Sequence, residues 1–281
     1  MKKIALIISL IFVFAITAKS QEAPNIDWEE LSGGQPDSVA KLDLSMKDIK
    51  ILPDKIKEFK NLENLALSNN PELDLRDAID KLAQLPNLKE LFLVGNMLTE
   101  LPENLTKLKN LETIYLTANP TMNWAGAFRL MSRMPSLTGI CMSYNQIMQL
   151  PAEVKLLKNI TEFDLDFNRL SELPTEFAEL TNLRKLYLMA NEFTEFPGEL
   201  CLLTGLEHLA ISKNQLNEIP DCVQLWQQMH TLEISENKLT KLPDAMKRMR
   251  NLGYLELWGN DVPLDERNDL NDAIPGLTIS Y

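Results

Sequence analysis

The sequence is short of histidine (two), cysteine (three) and glycine (ten), and of positive charge: 28 Lys and Arg face 40 Asp and Glu across 281 residues, a net charge of −12. Each shortage excludes something. The few histidines and cysteines match no zinc-ligand spacing, so no metal is expected. The scattered glycines form no phosphate-cradling loop, and no nucleophile elbow accompanies a Ser-His-Asp set, so no cofactor and no enzyme activity are expected. An acidic body repels phosphate backbones, which makes nucleic acid a poor partner.

Long apolar runs are missing beyond the first twenty residues. Lys2 and Lys3 precede an apolar stretch, Ile4 to Ala18, and Ala18-Lys19-Ser20 places small residues at −3 and −1 of a cleavage site before Gln21. This is the pattern of an export signal, too short for a membrane span of about 20 residues. We expect a signal at 1–20 and a mature chain that is secreted, periplasmic or on the cell surface, with no membrane span. The three lysines of the first twenty residues removed, 25 cations face 40 acids, a net of −15.

What is abundant is leucine in a fixed rhythm. The pattern L-x-x-L-x-L-x-x-N-x-L starts at Val39, Leu62, Leu88, Leu111, Leu137, Ile160, Leu183, Leu206, Met229 and Leu252. Most starts lie 23 residues apart; those at Leu62 and Leu111 open units of 26. The stretch x-x-L-x-L alternates like a half-buried strand, and stacked units pair these strands into a parallel sheet. The ninth position is Asn in nine of ten units, from Asn70 to Asn260, with Lys47 the exception. An Asn amide can bond the backbone groups that a sharp turn leaves facing inward, in its own turn and the next. The second half reads L-P-x-x-Φ-x-x-L, as in Leu101-Pro102-x-x-Leu105-x-x-Leu108, which predicts a 3₁₀ segment with Pro at its first position. In the two 26-residue units Leu75, Ile79, Leu82 and Trp124, Phe128, Met131 predict longer helices.

These residues make the chain resemble the leucine-rich repeat family, in the L-P-x-x-Φ form of the Ras-suppressor-like and bacterial class, from Val39 to about Pro263. The resemblance implies an α/β fold: a right-handed horseshoe solenoid with a concave parallel sheet and short helices or 3₁₀ turns on its convex face. It also implies protein binding. Solenoid ends need covering, and we expect an N-terminal cap over 21–38 (Ile26, Trp28, Leu31), repeats over 39–263 and a C-terminal cap over 264–281, whose alternating end adds an edge strand.

Positions 2, 3, 5, 7 and 8 of each unit face out of the sheet. In repeats three to seven they carry Phe92, Tyr115 and Tyr187 at position 5 and Tyr144 and Phe167 at position 8, with Arg184 and Met189 nearby. Aromatics clustered on a rigid surface mark a binding site, although rings on adjacent strands also stabilise a sheet. Glu162, Asp164, Asp166, Glu233, Glu236 and Glu256 read as a solvated acidic rim that can select a basic partner. His208 and His230 read as surface histidines. Asn104 and Asn159 head sequons for glycosylation. Cys201 and Cys222 occupy neighbouring convex segments at a spacing that suits a disulfide, which leaves Cys141 free.

The expected function is protein binding on the concave face by a monomer or weak self-associator of unknown partner. The alternatives are a structural or self-associating envelope module and, weakly, a carbohydrate-binding or carbohydrate-acting protein.

Overall fold

A computed structural model describes residues 26–29 and 33–281. The signal sequence expected over 1–20, and Leu31 of the expected cap, lie outside the described residues. Eleven strands form one parallel sheet in chain order. They are β1 (Lys41–Asp43), β2 (Asn64–Ala66), β3 (Glu90–Phe92), β4 (Thr113–Tyr115), β5 (Gly139–Cys141), β6 (Glu162–Asp164), β7 (Lys185–Tyr187), β8 (His208–Ala210), β9 (Thr231–Glu233), β10 (Tyr254–Glu256) and β11 (Thr278–Ser280). The register is strict: position 5 of each strand meets position 5 of the next, as in Phe92 opposite Tyr115. The middle residue of each strand points into the core, and Leu65, Leu91, Ile114, Ile140, Phe163 and Leu186 are inaccessible to solvent.

The Asn column is the internal fastening. Asn145 Oδ1 accepts from the Asn119 backbone N–H (2.6 Å), and its Nδ2 donates to Leu116 O (3.2 Å) and Met142 O (2.8 Å). Each amide thus ties its own turn to the preceding repeat, not the following one. That direction accounts for Lys47: among the described residues no repeat precedes the first, so an Asn carbonyl there would find no backbone N–H to accept from.

A second asparagine column stands just before position 1. Asn61, Asn87, Asn110, Asn182 and Asn251 each donate from Nδ2 to a carbonyl of the preceding segment, at 2.7–2.9 Å. Ser136, Gly205 and Gln228 interrupt it, and the gap at Gly205 is filled from the neighbouring repeat. Arg184 Nη1 reaches the carbonyls of Leu183, Thr181 and Gly205 and occupies the space that a Cβ at Gly205 would need.

The convex side departs from expectation in one detail. Pro53, Pro102, Pro151, Pro174, Pro197, Pro220 and Pro243 each sit one residue before a five-residue 3₁₀ segment, with extended backbone, and are not its first residue. Proline's fixed φ suits an extended residue equally well, and its carbonyl accepts the first 3₁₀ bond, as Pro151 O does from Val154 N–H (3.0 Å). The 26-residue units instead form α1 (Leu75–Leu82) and α2 (Trp124–Met131). Their N-caps are Asp74, accepting from Asp77 N–H, and Asn123, accepting from Gly126 N–H. Such caps stabilise a helix by about 1 kcal/mol each.

Both ends of the core are covered. Ile26 is buried, and the Trp28 ring lies 5.6 Å from that of Phe59. At the other end α3 (Leu264–Ala273) buries Leu270 and leads to β11, which pairs with β10.

Candidate functional site

Neighbouring strands of a sheet lie about 4.8 Å apart, so flat side chains at one position of successive repeats meet face to face. Phe92 on β3 and Tyr115 on β4 stack with ring centroids 3.9 Å apart and planes 7° from parallel. Tyr144 and Phe167 stack at 4.4 Å and 7° in the turns after β5 and β6. Tyr187 on β7 leans on the His208 ring of β8 at 5.1 Å. The five aromatics are therefore half-buried in stacks rather than freely exposed. Each stacked pair contributes about 0.5–1.5 kcal/mol beyond its burial, so the rings both stabilise the sheet and present their outer edges as a stiff apolar surface.

Tyr144 and Phe167 hold an unusual conformation. Position 8 takes a positive φ in every repeat, between +49° and +72°, and glycine occupies it only at Gly95 and Gly259. A bulky residue there costs roughly 1–2 kcal/mol, although the repeat geometry imposes the conformation on whatever residue is present.

Carboxylates lie between the rings. Asp164, opposite Tyr187 on β7 and Cys141 on β5, is only 7% exposed. Its Oδ1 accepts from Asp166 N–H (2.9 Å), and Asp166 Oδ1 accepts from Met189 N–H (2.6 Å). Asp164 is not part of a solvated rim, because β5 and β7 wall it in; Asp166, in the turn after β6, is half-buried. Burial raises both carboxyls, and the charge of Asp164 raises Asp166 further; the pair titrates near 6 and near 8. Burial likewise holds the Cys141 thiol protonated and raises the Tyr115 and Tyr187 hydroxyls, which stay donors.

The raised carboxyls have a measurable consequence. The native state binds protons that the unfolded chain has released above its ordinary value near 3.9. Their contribution is therefore most favourable in acid and declines as pH rises through about 6 and about 8. Asp166→Asn keeps the acceptor for Met189 N–H and removes the titration. It is expected to be more stable than the parent by about 1–3 kcal/mol at pH 8 and by much less at pH 5. Chemical denaturation at both pH values checks this; a parent that gains on the variant as pH rises contradicts it.

Arg184 is not at the aromatic face. Its guanidinium serves the second asparagine column, and Glu207 lies 3.8 Å from its Nε. Met189 is half-buried and bound through its backbone to Asp166. Burial lowers the pKa of His208; its Nε2 lies 3.4 Å from Glu233 Oε1 but forms no hydrogen bond. His230 is exposed. Among the described residues no group of three or more His, Cys, Asp or Glu side chains converges on a metal position. Asn104 is a poor glycan acceptor, since its Nδ2 already donates to Arg76 O and Asp80 Oδ1 (2.8 Å each).

The sequence reading passed over Trp258, which stands at outward position 7 of the tenth repeat, 42% exposed. Its Nε1 donates to Glu256 Oε1 (3.0 Å). Tyr254, on β10 of the same repeat, is half-buried. The alternation that puts the middle aromatics on outward positions puts Tyr254 and Trp258 there too, at positions 3 and 7.

On the convex side Cys201 and Cys222 lie in the adjacent segments Gly198–Leu202 and Asp221–Leu225, joined as a disulfide with Cα atoms 5.5 Å apart. The denatured, unreduced protein is expected to show one thiol, that of Cys141, and three after reduction. Closing the short loop stabilises the fold by about 3 kcal/mol on the chain-entropy account. Three thiols before reduction would contradict the bridge. A hollow of about 490 Å³ near α3 is lined by Glu218, Asp221, Lys241, Asp244, Lys247, Glu266 and Asp269. Its polar groups partly satisfy one another: Lys247 pairs with Asp244 (2.8 Å) and Glu266 Oε2 accepts from Leu242 N–H (2.6 Å).

The family described as leucine rich repeat matches residues 158–216, and that described as leucine rich repeats in two copies matches residues 86–123. No curated protein sequence matches the chain. Among solved structures, an internalin from Listeria monocytogenes superposes over 87% of this chain and 81% of its own, with a TM-score of 0.56 and 19% identity. A chain of the Toll–Spatzle complex of Drosophila matches 86% of this chain with 37% of its own, with a TM-score of 0.65 and 23% identity. A chain of the TLR13–ssRNA13 complex matches 79% with 33% of its own, with a TM-score of 0.66 and 24% identity. This chain spans about a third of those last two. At such identities the likeness is one of fold.

Proposed function

Given that the chain is a leucine-rich repeat protein, we propose that it is an exported, non-catalytic protein that binds another protein on the concave face of its sheet. One observation carries the reading: two parallel ring stacks and the Tyr187–His208 pair, in consecutive repeats, on a face that no element among the described residues covers. A surface already fixed by strand pairing loses little freedom on binding. Half-buried aromatic anchors with protonated hydroxyls supply both apolar area and donors. Export rests on Lys2-Lys3 and the apolar run to Ala18. Among the described residues no helix is long and apolar enough to cross a membrane. An oxidising compartment suits the Cys201–Cys222 bridge.

The test is a parallel capture from the native surface fraction on immobilised parent protein and on Tyr115→Ala/Tyr187→Ala. A protein retained by the parent and lost on the variant supports the reading. Equal retention removes the aromatic face from it.

A further inference from the structure

Resting on that protein-binding reading, we propose that the aromatic face takes an uncharged, apolar polypeptide segment and takes up a proton at the Asp164–Asp166 pair as it does so, which makes docking tighter in acid and looser as the medium turns alkaline. The pair lies within the ring cluster, not beside it. Asp164 has Cys141 and Tyr187 opposite it on β5 and β7 and is already shielded from water. Asp166 follows in the turn after β6, next to Phe167 of the second stack and bonded to the backbone of Met189 in the next repeat. It is half-buried, so an occupant resting on Tyr144, Phe167 and Tyr187 removes the water it still has.

No cation compensates the pair. Lys185 is committed to Glu162 (3.1 Å) and Lys213 to Glu236 (3.3 Å), and among the described residues no Lys or Arg comes within ion-pair distance of Asp164 or Asp166. Two neighbouring carboxylates without a counter-charge, in a place that water is leaving, are neutralised by a proton. Burial, and then the charge of Asp164, already raises Asp166 in the uncovered protein, and the upper step of the pair lies near 8. Covering the face penalises the charged form further, so docking and protonation favour one another.

The other groups that face the pair hold one state between pH 7 and pH 9. Burial keeps the Cys141 thiol of β5 and the hydroxyls of Tyr115 on β4, Tyr144 after β5 and Tyr187 on β7 protonated. Burial lowers the pKa of His208 on β8, which stays neutral. Glu162 on β6 and Glu233 on β9 oppose ionisation of the pair by their own charge. The sign of the effect sets the occupant apart. Ionised carboxylates attract a basic segment, which would bind more tightly as pH rises. Asp164 is out of its reach between two strands and Lys185 already neutralises Glu162, so the face offers ring edges rather than charge.

The probe comes from a random twelve-residue display library without His, Cys, Lys or Tyr, panned on the full chain at pH 7. The leading peptide whose binding is lost on Tyr115→Ala/Tyr187→Ala is synthesised with blocked ends, so that it does not titrate between pH 7 and pH 9. It is expected to be apolar and uncharged. If docking strengthens the hold of the pair on its proton about tenfold, affinity falls about fivefold from pH 7 to pH 9, and about 0.4 proton is taken up at pH 8. Calorimetry in two buffers of different ionisation enthalpy reads that uptake on the parent, without any variant. Asp166→Asn is expected to bind equally at both pH values and to take up no proton. Affinity that is level or rises with pH, a slope that Asp166→Asn retains, or a leading peptide rich in Arg overturns this inference and leaves the protein-binding reading standing. A library that yields no peptide dependent on Tyr115 and Tyr187 overturns both.

Discussion

Replacing Asn145 with leucine is expected to lower the unfolding free energy by about 3 kcal/mol, although the two side chains are close in size. The estimate follows from which partners remain. Leu116 O keeps the Asn119 amide and Met142 O keeps that of Asn168, so each carbonyl loses one of two bonds. The Asn119 N–H loses its acceptor and stays buried. An orphaned buried donor costs about 1–3 kcal/mol, and each weakened carbonyl adds a fraction of that. The same logic makes the second column cheaper. Asn251→Ala frees a carbonyl at an exposed position, where water replaces the lost donor, and about 1 kcal/mol or less is expected. Urea unfolding of the two variants checks the order. Equal costs, or a loss below about 1 kcal/mol at Asn145, would mean that the inner ladder is not what fastens one repeat to the next.

Much of the scaffold could be read from residue types alone, because it answers to local rules that repeat. Leu at positions 4 and 6 buries, the ninth-position Asn bonds a turn, and three extra residues before Leu75 and Trp124 lengthen a turn into a helix. What escaped is what depends on the neighbouring repeat. The direction of the Asn bonds explains Lys47, but direction is a property of two stacked units and not of one. The second column of Asn61, Asn87, Asn110, Asn182 and Asn251 is plain once those carbonyls are in view; in the sequence it is five asparagines each one residue ahead of a leucine. Arg184 stands at outward position 2 of the repeat that carries Tyr187, which reads in the sequence as part of the site. Its guanidinium is taken instead by the gap at Gly205, a position in the following repeat.

The candidate site was legible in its membership and not in its state. Phe92, Tyr115, Tyr144, Phe167 and Tyr187 lie on outward positions, as the alternation requires. That they stack in pairs follows from the strand spacing and the strict register. The acids were misjudged for a related reason. Asp164 occupies an outward position, but Cys141 and Tyr187 on the strands either side leave it only 7% exposed, and an outward position is then no guide to solvation.

The largest expected effect on function belongs to Tyr115→Ala/Tyr187→Ala. Buried aromatic anchors at the centre of an interface commonly contribute about 2 kcal/mol or more each. A tenfold loss corresponds to about 1.4 kcal/mol, so the double variant should exceed tenfold even if one ring lies at the rim. The same change removes the Tyr115 face of one stack and the Tyr187 ring from His208, a loss of about 0.5–1.5 kcal/mol per ring contact beyond the apolar area both side chains give up. Tyr115→Phe separates the two contributions of that residue, since it keeps the stack with Phe92 and loses only the hydroxyl.

The decisive measurement is the calorimetric affinity of the captured partner for the parent and for Tyr115→Ala/Tyr187→Ala, each shown first to unfold cooperatively at a similar midpoint. Binding through the concave aromatic face predicts at least tenfold weaker affinity for the double variant. An unchanged affinity on a folded variant would contradict it.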